Sequence, residues 1–248
     1  MIERVLRHER AVIIAAVVVV AGLAWLDLLR RGHGVMDMAM PEMEPWSFAA
    51  FGAILAMWLV MMVAMMLPSA APMLLLFAAT QRGRATRSGP ATVLAFATGY
   101  LLVWGGFSVA AAASQVLLQQ SMLLSSNLAM TTGWLAPAVL ALAGIYQLTP
   151  LKHACLFRCR SPLGFLLSRW RDGIGGALAM GLRHGAFCLG CCWALMALLF
   201  VGGVMNLAWV AVLALFVLGE KILPGGAWLS RVSGVALLVW AVWLATRS

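Results

Sequence analysis

Charge is what this chain lacks most. Lys, Arg, Asp and Glu together make up 10% of 248 residues, and only 8 of them are acidic. A soluble domain carries about 25% charged residues. A chain with so few cannot build a water-facing shell around a core of this size. No two carboxylates are spaced for hydrolysis, which needs a general acid and base across one substrate. Phosphate-loop glycines of the form G-x-x-x-x-G-K-[ST] are missing, so there is no internal ATPase. No H-E-x-x-H run and no Ser/His/Asp set is present, and no two internal histidines pair across apolar runs to ligate a haem. Alternating strand patterns, low-complexity tails and room for a separate soluble domain are absent too.

What the chain has instead is apolar length. Its residues are 64% hydrophobic, with a mean hydropathy of +0.98. That composition reads as one integral membrane domain over residues 1–248. The formal charge of +9 does not point to nucleic acid, because the basic residues cluster in short loops between apolar runs. The first apolar run follows the basic start "MIERVLRHER". It is too long for a signal-peptide core, and "LDLLRRGHG" is a poor cleavage context, so it reads as an uncleaved span.

A membrane-spanning helix needs roughly 20 mostly apolar residues. Such runs fall at about 11–29, 48–79, 91–118, 134–148, 174–204, 207–222 and 228–245. The expectation is an all-α, polytopic membrane helix bundle of about seven spans. The count becomes six if the last two form a broken hairpin around Pro224, Gly225 and Gly226. Pro68 and Pro72 fall inside the second run, which therefore either kinks or turns partly re-entrant. Arg4, Arg7 and Arg10 precede the first span. Arg82, Arg84 and Arg87 follow the second, and Lys152, Arg158, Arg160, Arg169 and Arg171 follow the fourth. With alternating spans these groups share one side, which places the N-terminus in the cytoplasm and, for seven spans, the C-terminus outside. The location read from this is a bacterial cytoplasmic (inner) membrane.

Three clusters carry chemistry. The first is "RHGAFCLGCCW" in the fifth run. At about 100° per residue, His184, Cys188 and Cys191 fall within about 60° of one another, and Cys192 lies about 40° beyond Cys188. All four can face one point inside the bundle. Buried cysteine is often only a small hydrophobe. Three on one helical arc, with an ionisable His one turn below, read instead as metal ligands or a redox group. One helix cannot close a coordination sphere, so at least one ligand has to come from elsewhere. Gly185, Ala186 and Gly190 permit the close helix approach this requires.

The second cluster is methionine. Ten of the 16 methionines lie between Met36 and Met73. The outer loop "HGVMDMAMPEMEPW" holds His33, Met36, Met38 and Met40 beside acidic residues. The second span carries Met57, Met61 and Met65 at i, i+4 and i+8, with Met62 and Met66 further round. Thioether and imidazole select monovalent copper, although a methionine stripe also serves as flexible core filler. The third cluster is "KHACLFRCRSP", read as a cytoplasmic loop with His153, Cys155 and Cys159. Its flanking cations favour thiolate, and a reducing cytoplasm disfavours a structural disulfide. Zinc is a second candidate ion there. Glu220 and Lys221 end the sixth span and read as an interfacial ion pair, with a proton or ligand relay as the alternative. Tyr146, Gln147 and Asn206 read as caps or interhelical contacts.

Three blocks, "MWLVMMVAMMLPS", "YQLTPLKHACLFRCRSP" and "GAFCLGCCWALM…FVGGVMNLAWV…LGEK", resemble the signature of a bacterial family of integral membrane proteins described as metal-binding. The resemblance covers about residues 46–221. It implies that Met61, Met62, Met65, Met66, Pro68, Lys152, Cys155, Cys159, Cys188, Cys191, Cys192, Met205, Asn206, Glu220 and Lys221 belong to the family pattern. His153 and His184 are not carried by it and rest on spacing alone.

The combined reading is a membrane protein for a soft metal, copper(I), acting in uptake, sequestration or delivery, with an enzymatic role left open. The proposed route runs from the outer Met loop along the Met face of span two to Cys188, Cys191 and Cys192, then to Cys155 and Cys159. Its partners are the metal ion, the lipid bilayer, and a metallochaperone or membrane complex. Two alternatives remain open: a thiol–disulfide oxidoreductase using Cys188 and Cys191, and a non-catalytic subunit whose cysteines only pack.

Overall fold

The structure, a computed structural model, describes residues 2–37, 47–82, 89–125, 128–130 and 133–247. Its elements are α1 (Ile2–Asp37), α2 (Phe48–Arg82), α3 (Gly89–Gln120), α4 (Leu135–Leu148), α5 (Pro150–Arg160), α6 (Pro162–Arg169), α7 (Gly173–Ala197), α8 (Leu199–Gly202), α9 (Leu207–Ile222) and α10 (Gly226–Ala245). Among the described residues the one extended pairing is an isolated bridge between Leu124 and Met130. The protein is an all-α membrane protein.

All seven apolar runs lie on helices, but not all of those helices reach spanning length. Five stretches are long and apolar enough to cross a membrane: Arg10–Arg30, Phe48–Gln81, Gly89–Gln120, Gly173–Gly202 and Gly226–Ala245. Leu135–Leu148 and Pro150–Arg160 make a sixth candidate, bent by 64° at their junction. The bend has a local cause. Thr149 is extended (φ −72°, ψ 147°), and Pro150 opens α5 at a position where its missing N–H is no loss. The Thr149 hydroxyl then caps Lys152 N at 3.3 Å. At 16 residues, α9 is about 24 Å long, short of the ~30 Å hydrocarbon core. The second run is one helix through both Pro68 and Pro72, so no re-entrant break follows Pro68.

Pairwise contacts give the helix directions. Trp58 meets Gln115 of α3 and Phe200 of α8, just beyond α7. At the other end of α2, Phe77 meets Phe96 and Trp170. Helix α2 therefore runs antiparallel to α3 and α7, which run parallel to each other. On the far side of the bundle α4 and α10 pack antiparallel, with Ser230 Oγ donating to Gln147 O at 3.1 Å. These directions agree with alternate crossing only with α9, short as it is, carrying the chain back between α7 and α10, as its antiparallel contacts with α7 show.

Helices α3 and α7 form the most extensive contact in the bundle. A Cβ on Gly181 would sit 2.0 Å from Phe96 O, and one on Gly99 would sit 2.3 Å from Leu178 O. The backbones therefore touch, and side chains such as those of Cys188 and Tyr100 are set in fixed register. Gly181→Ala should force the helices apart and destabilise the protein by about 1–3 kcal/mol, as overpacking does. Chemical unfolding in detergent measures this, and an unchanged midpoint would mean the helices part freely.

Candidate metal centre

The five cysteines come from α5 and α7. On α7, Cys188, Cys191 and Cys192 are each 1–2% exposed. Cys191 Sγ donates to Cys188 O at 3.0 Å, and Cys192 Sγ donates to the same carbonyl at 2.9 Å. The common carbonyl holds both thiols on the predicted face.

The cluster expected in a cytoplasmic loop is not in a loop. Cys155 and Cys159 stand on α5, which folds back against α7 after the bend. Cys159 Sγ lies 4.0 Å from Cys191 Sγ and interacts with Cys188 as well. Gly190 makes room for Cys155, whose Sγ would be 2.9 Å from a Cβ there. The separate thiol station placed after α7 therefore merges with the α7 cluster. All five cysteines are free. Across the two helices the sulfur of Cys159 meets that of Cys191.

Cys188 faces two groups that sequence reasoning did not assign to it. Tyr100 OH is 3.1 Å from its sulfur and also donates to Met66 O at 2.9 Å. Lys221 Nζ is 3.0 Å from the same sulfur and 3.0 Å from Ser69 Oγ. The expected Glu220–Lys221 pair is thereby overturned. Adjacent residues on α9 point to different neighbours: Lys221 turns to α7, and Glu220 turns to α5. Glu220 pairs with Lys152, whose Nζ sits 2.8 Å from both carboxylate oxygens. Gln147 joins them, donating from Nε2 to Glu220 Oε1 at 3.1 Å and accepting from Lys152 Nζ. Asn206 caps α9 through Trp209 N, and Tyr146 OH donates to Gly190 O. These are the cap and interhelical contacts their residue types suggest.

Tyr100 left one trace in the sequence. The chain has only two tyrosines, and both hydroxyls reach α7 beside cysteine. Ser69 left none, because Ser inside a helix usually bonds its own backbone, as Ser69 also does to Met66 O.

His184 is 4% exposed, one turn below Cys188. Its ring packs among Phe96, Tyr100 and Phe165 at centroid distances of 6.0, 5.8 and 5.7 Å. Its Nδ1 is buried without a hydrogen-bond partner. On α2, Met61, Met62, Met65 and Met66 are 1–2% exposed and share the core with the cysteines, whereas Met57 only packs against it. Met57 is nine residues from Met66, about 13 Å along the helix. At the Met66 end of the stripe the backbone carbonyl holds Tyr100, which meets Cys188. His33 and Met36 belong to the last turns of α1, and Met38 and Met40 lie outside the described residues.

Among the described residues no three His, Cys, Asp or Glu side chains are placed together to hold a metal ion. Two sulfurs do converge. With metal–thiolate bonds of about 2.3 Å, the 4.0 Å separation of Cys159 and Cys191 corresponds to an S–metal–S angle of about 120°. Monovalent copper accepts such low, sulfur-rich coordination, and thiolate and thioether are the ligands that select it. The donor set suits that cargo.

No curated protein and no solved structure matches the chain. A family model does, over residues 55–244, and its description is PpoB2, copper chaperone. With most of its length matched, the chain belongs to the PpoB2 copper chaperone family.

Proposed function

We propose that the protein carries copper as copper(I) on cysteine sulfur, inside a multi-pass bacterial inner-membrane domain with its N-terminus in the cytoplasm. The observation behind this is the meeting of Cys159 and Cys191 at 4.0 Å across two helices, with Cys188, Cys192 and Cys155 around them. The ion sits between α5 and α7. Cys159 and Cys191 are its first ligands, and Cys188 or His184 Nδ1 supplies a third. Met61 and Met65 line the approach along α2, and the outer segment with His33, Met36, Met38 and Met40 collects the ion. Softness rises along this route towards thiolate, which draws copper(I) inward for storage or for delivery to a metallochaperone or membrane complex. Zinc is the competing ion for such thiols.

The test is copper-edge X-ray absorption on protein loaded with copper(I) in detergent. The expected spectrum has a sulfur shell near 2.3 Å, the length of a metal–thiolate bond, with at most one nitrogen. A shell of oxygen and nitrogen alone, or no retained copper, would sink the proposal.

A further inference from the structure

Lys221 already occupies the place where a cation bound to Cys188 belongs. Its ammonium lies 3.0 Å from Cys188 Sγ, and Ser69 Oγ holds it from the other side at 3.0 Å. The register is fixed from two directions. Lys221 is in the last turn of α9, and Ser69 is in the α2 segment whose Met66 carbonyl also anchors Tyr100. A second cation sits further off, since Lys152 is neutralised by Glu220. Among the described residues no carboxylate pairs with the ammonium beside the thiols. Its neighbours there are sulfur, hydroxyl and phenol.

We propose that Lys221 is a specificity-determining residue, a resident monovalent cation that makes the thiol site selective for +1 ions over +2 ions. This rests on the copper(I) reading above. The physical basis is the charge product. A metal ion reaching Cys188 is repelled by the fixed ammonium in proportion to its own charge, and a partly buried site screens this weakly. A divalent ion therefore meets twice the repulsion of a monovalent one. Copper(I) exchanges with the ammonium at Cys188 without a change in the number of cations bound to that sulfur. Lys221 then remains tethered by Ser69, close enough to return when the ion leaves. The same return helps a carrier release its cargo.

Removing the charge should tighten both ions unequally. Because the energy scales with ion charge, about a tenfold gain for copper(I) implies about a hundredfold gain for zinc(II). The experiment compares wild type with Lys221→Leu, Lys221→Gln and Lys221→Arg in detergent. Each protein is titrated with copper(I) and zinc(II) against chromophoric chelators under reducing conditions. The expected result is a copper-to-zinc preference that falls about tenfold in Lys221→Leu and Lys221→Gln and stays within error of wild type in Lys221→Arg. A merely structural lysine would weaken both ions alike and leave the ratio unmoved. An unchanged ratio in either neutral variant that purifies as a folded protein overturns the inference and leaves the copper reading intact. Wild-type protein that binds no copper(I) overturns both.

Discussion

Replacing Cys159, Cys188 and Cys191 together with serine should empty the purified protein of copper, from a bound ion in wild type to background by elemental analysis. The single variants grade the claim. Cys159→Ser removes the α5 sulfur that meets Cys191 and Cys188 and should lower affinity at least tenfold, because α7 alone offers sulfurs that share one backbone carbonyl rather than surround an ion. Cys191→Ser should do the same from the other side. Cys192→Ser should cost less, since the thiol that α5 brings in meets Cys191 and Cys188 rather than Cys192. Serine keeps the size and hydrogen-bonding of the thiol but is a hard donor with little attraction for copper(I), so a loss of metal reports ligation rather than collapse. Copper retained by the triple variant at wild-type stoichiometry would refute the site. Equal losses in Cys159→Ser and Cys192→Ser would refute its geometry.

Breaking the buried ion pair is the second large effect. The side chains of Lys152 and Glu220 are 0% and 2% exposed and meet at 2.8 Å. Lys152→Met leaves a carboxylate buried with only Gln147 beside it, and such uncompensated charges destabilise by about 3–5 kcal/mol. Lys152→Met combined with Glu220→Leu should recover most of that loss, because paired removal of buried ions is often neutral. Chemical unfolding in detergent with all three variants decides it. A double variant no more stable than the single would show that the charges do not act as a pair. Copper affinity should fall in the single variant as well, since Lys152 lies on the same helix as Cys155 and Cys159.

Much of this was readable beforehand, and the reasons are physical. Apolar length located every membrane helix, and helical periodicity placed Cys188, Cys191 and Cys192 on one buried face. Periodicity describes one helix at a time, however. It could not tell that α5 turns by 64° and brings Cys159 back to Cys191. The basic residues Arg158 and Arg160 argued for a solvated loop, yet Arg158 lies 4.8 Å over the Phe187 ring, and Arg160 bonds the carbonyls that end α9. Glu220 and Lys221 misled for a related reason. Adjacent residues on a helix point about 100° apart, so opposite charges next to each other in sequence seldom pair. The soft ligands pointed to copper, and the match to a copper chaperone family bears that out.

Arg160 gives the α5 bend a further meaning. Its guanidinium donates to Glu220 O at 3.3 Å, to Pro224 O at 3.1 Å and to Leu223 O. With Lys152 gripping the Glu220 side chain, α5 is fastened to the end of α9 at both of its own ends. The two thiols of α5 and the ammonium of Lys221 thus ride on one block, while the α7 thiols are locked to α3 by glycine contacts. On the copper reading proposed above, a shift of this block against α7 would carry two candidate ligands and the competing ammonium together.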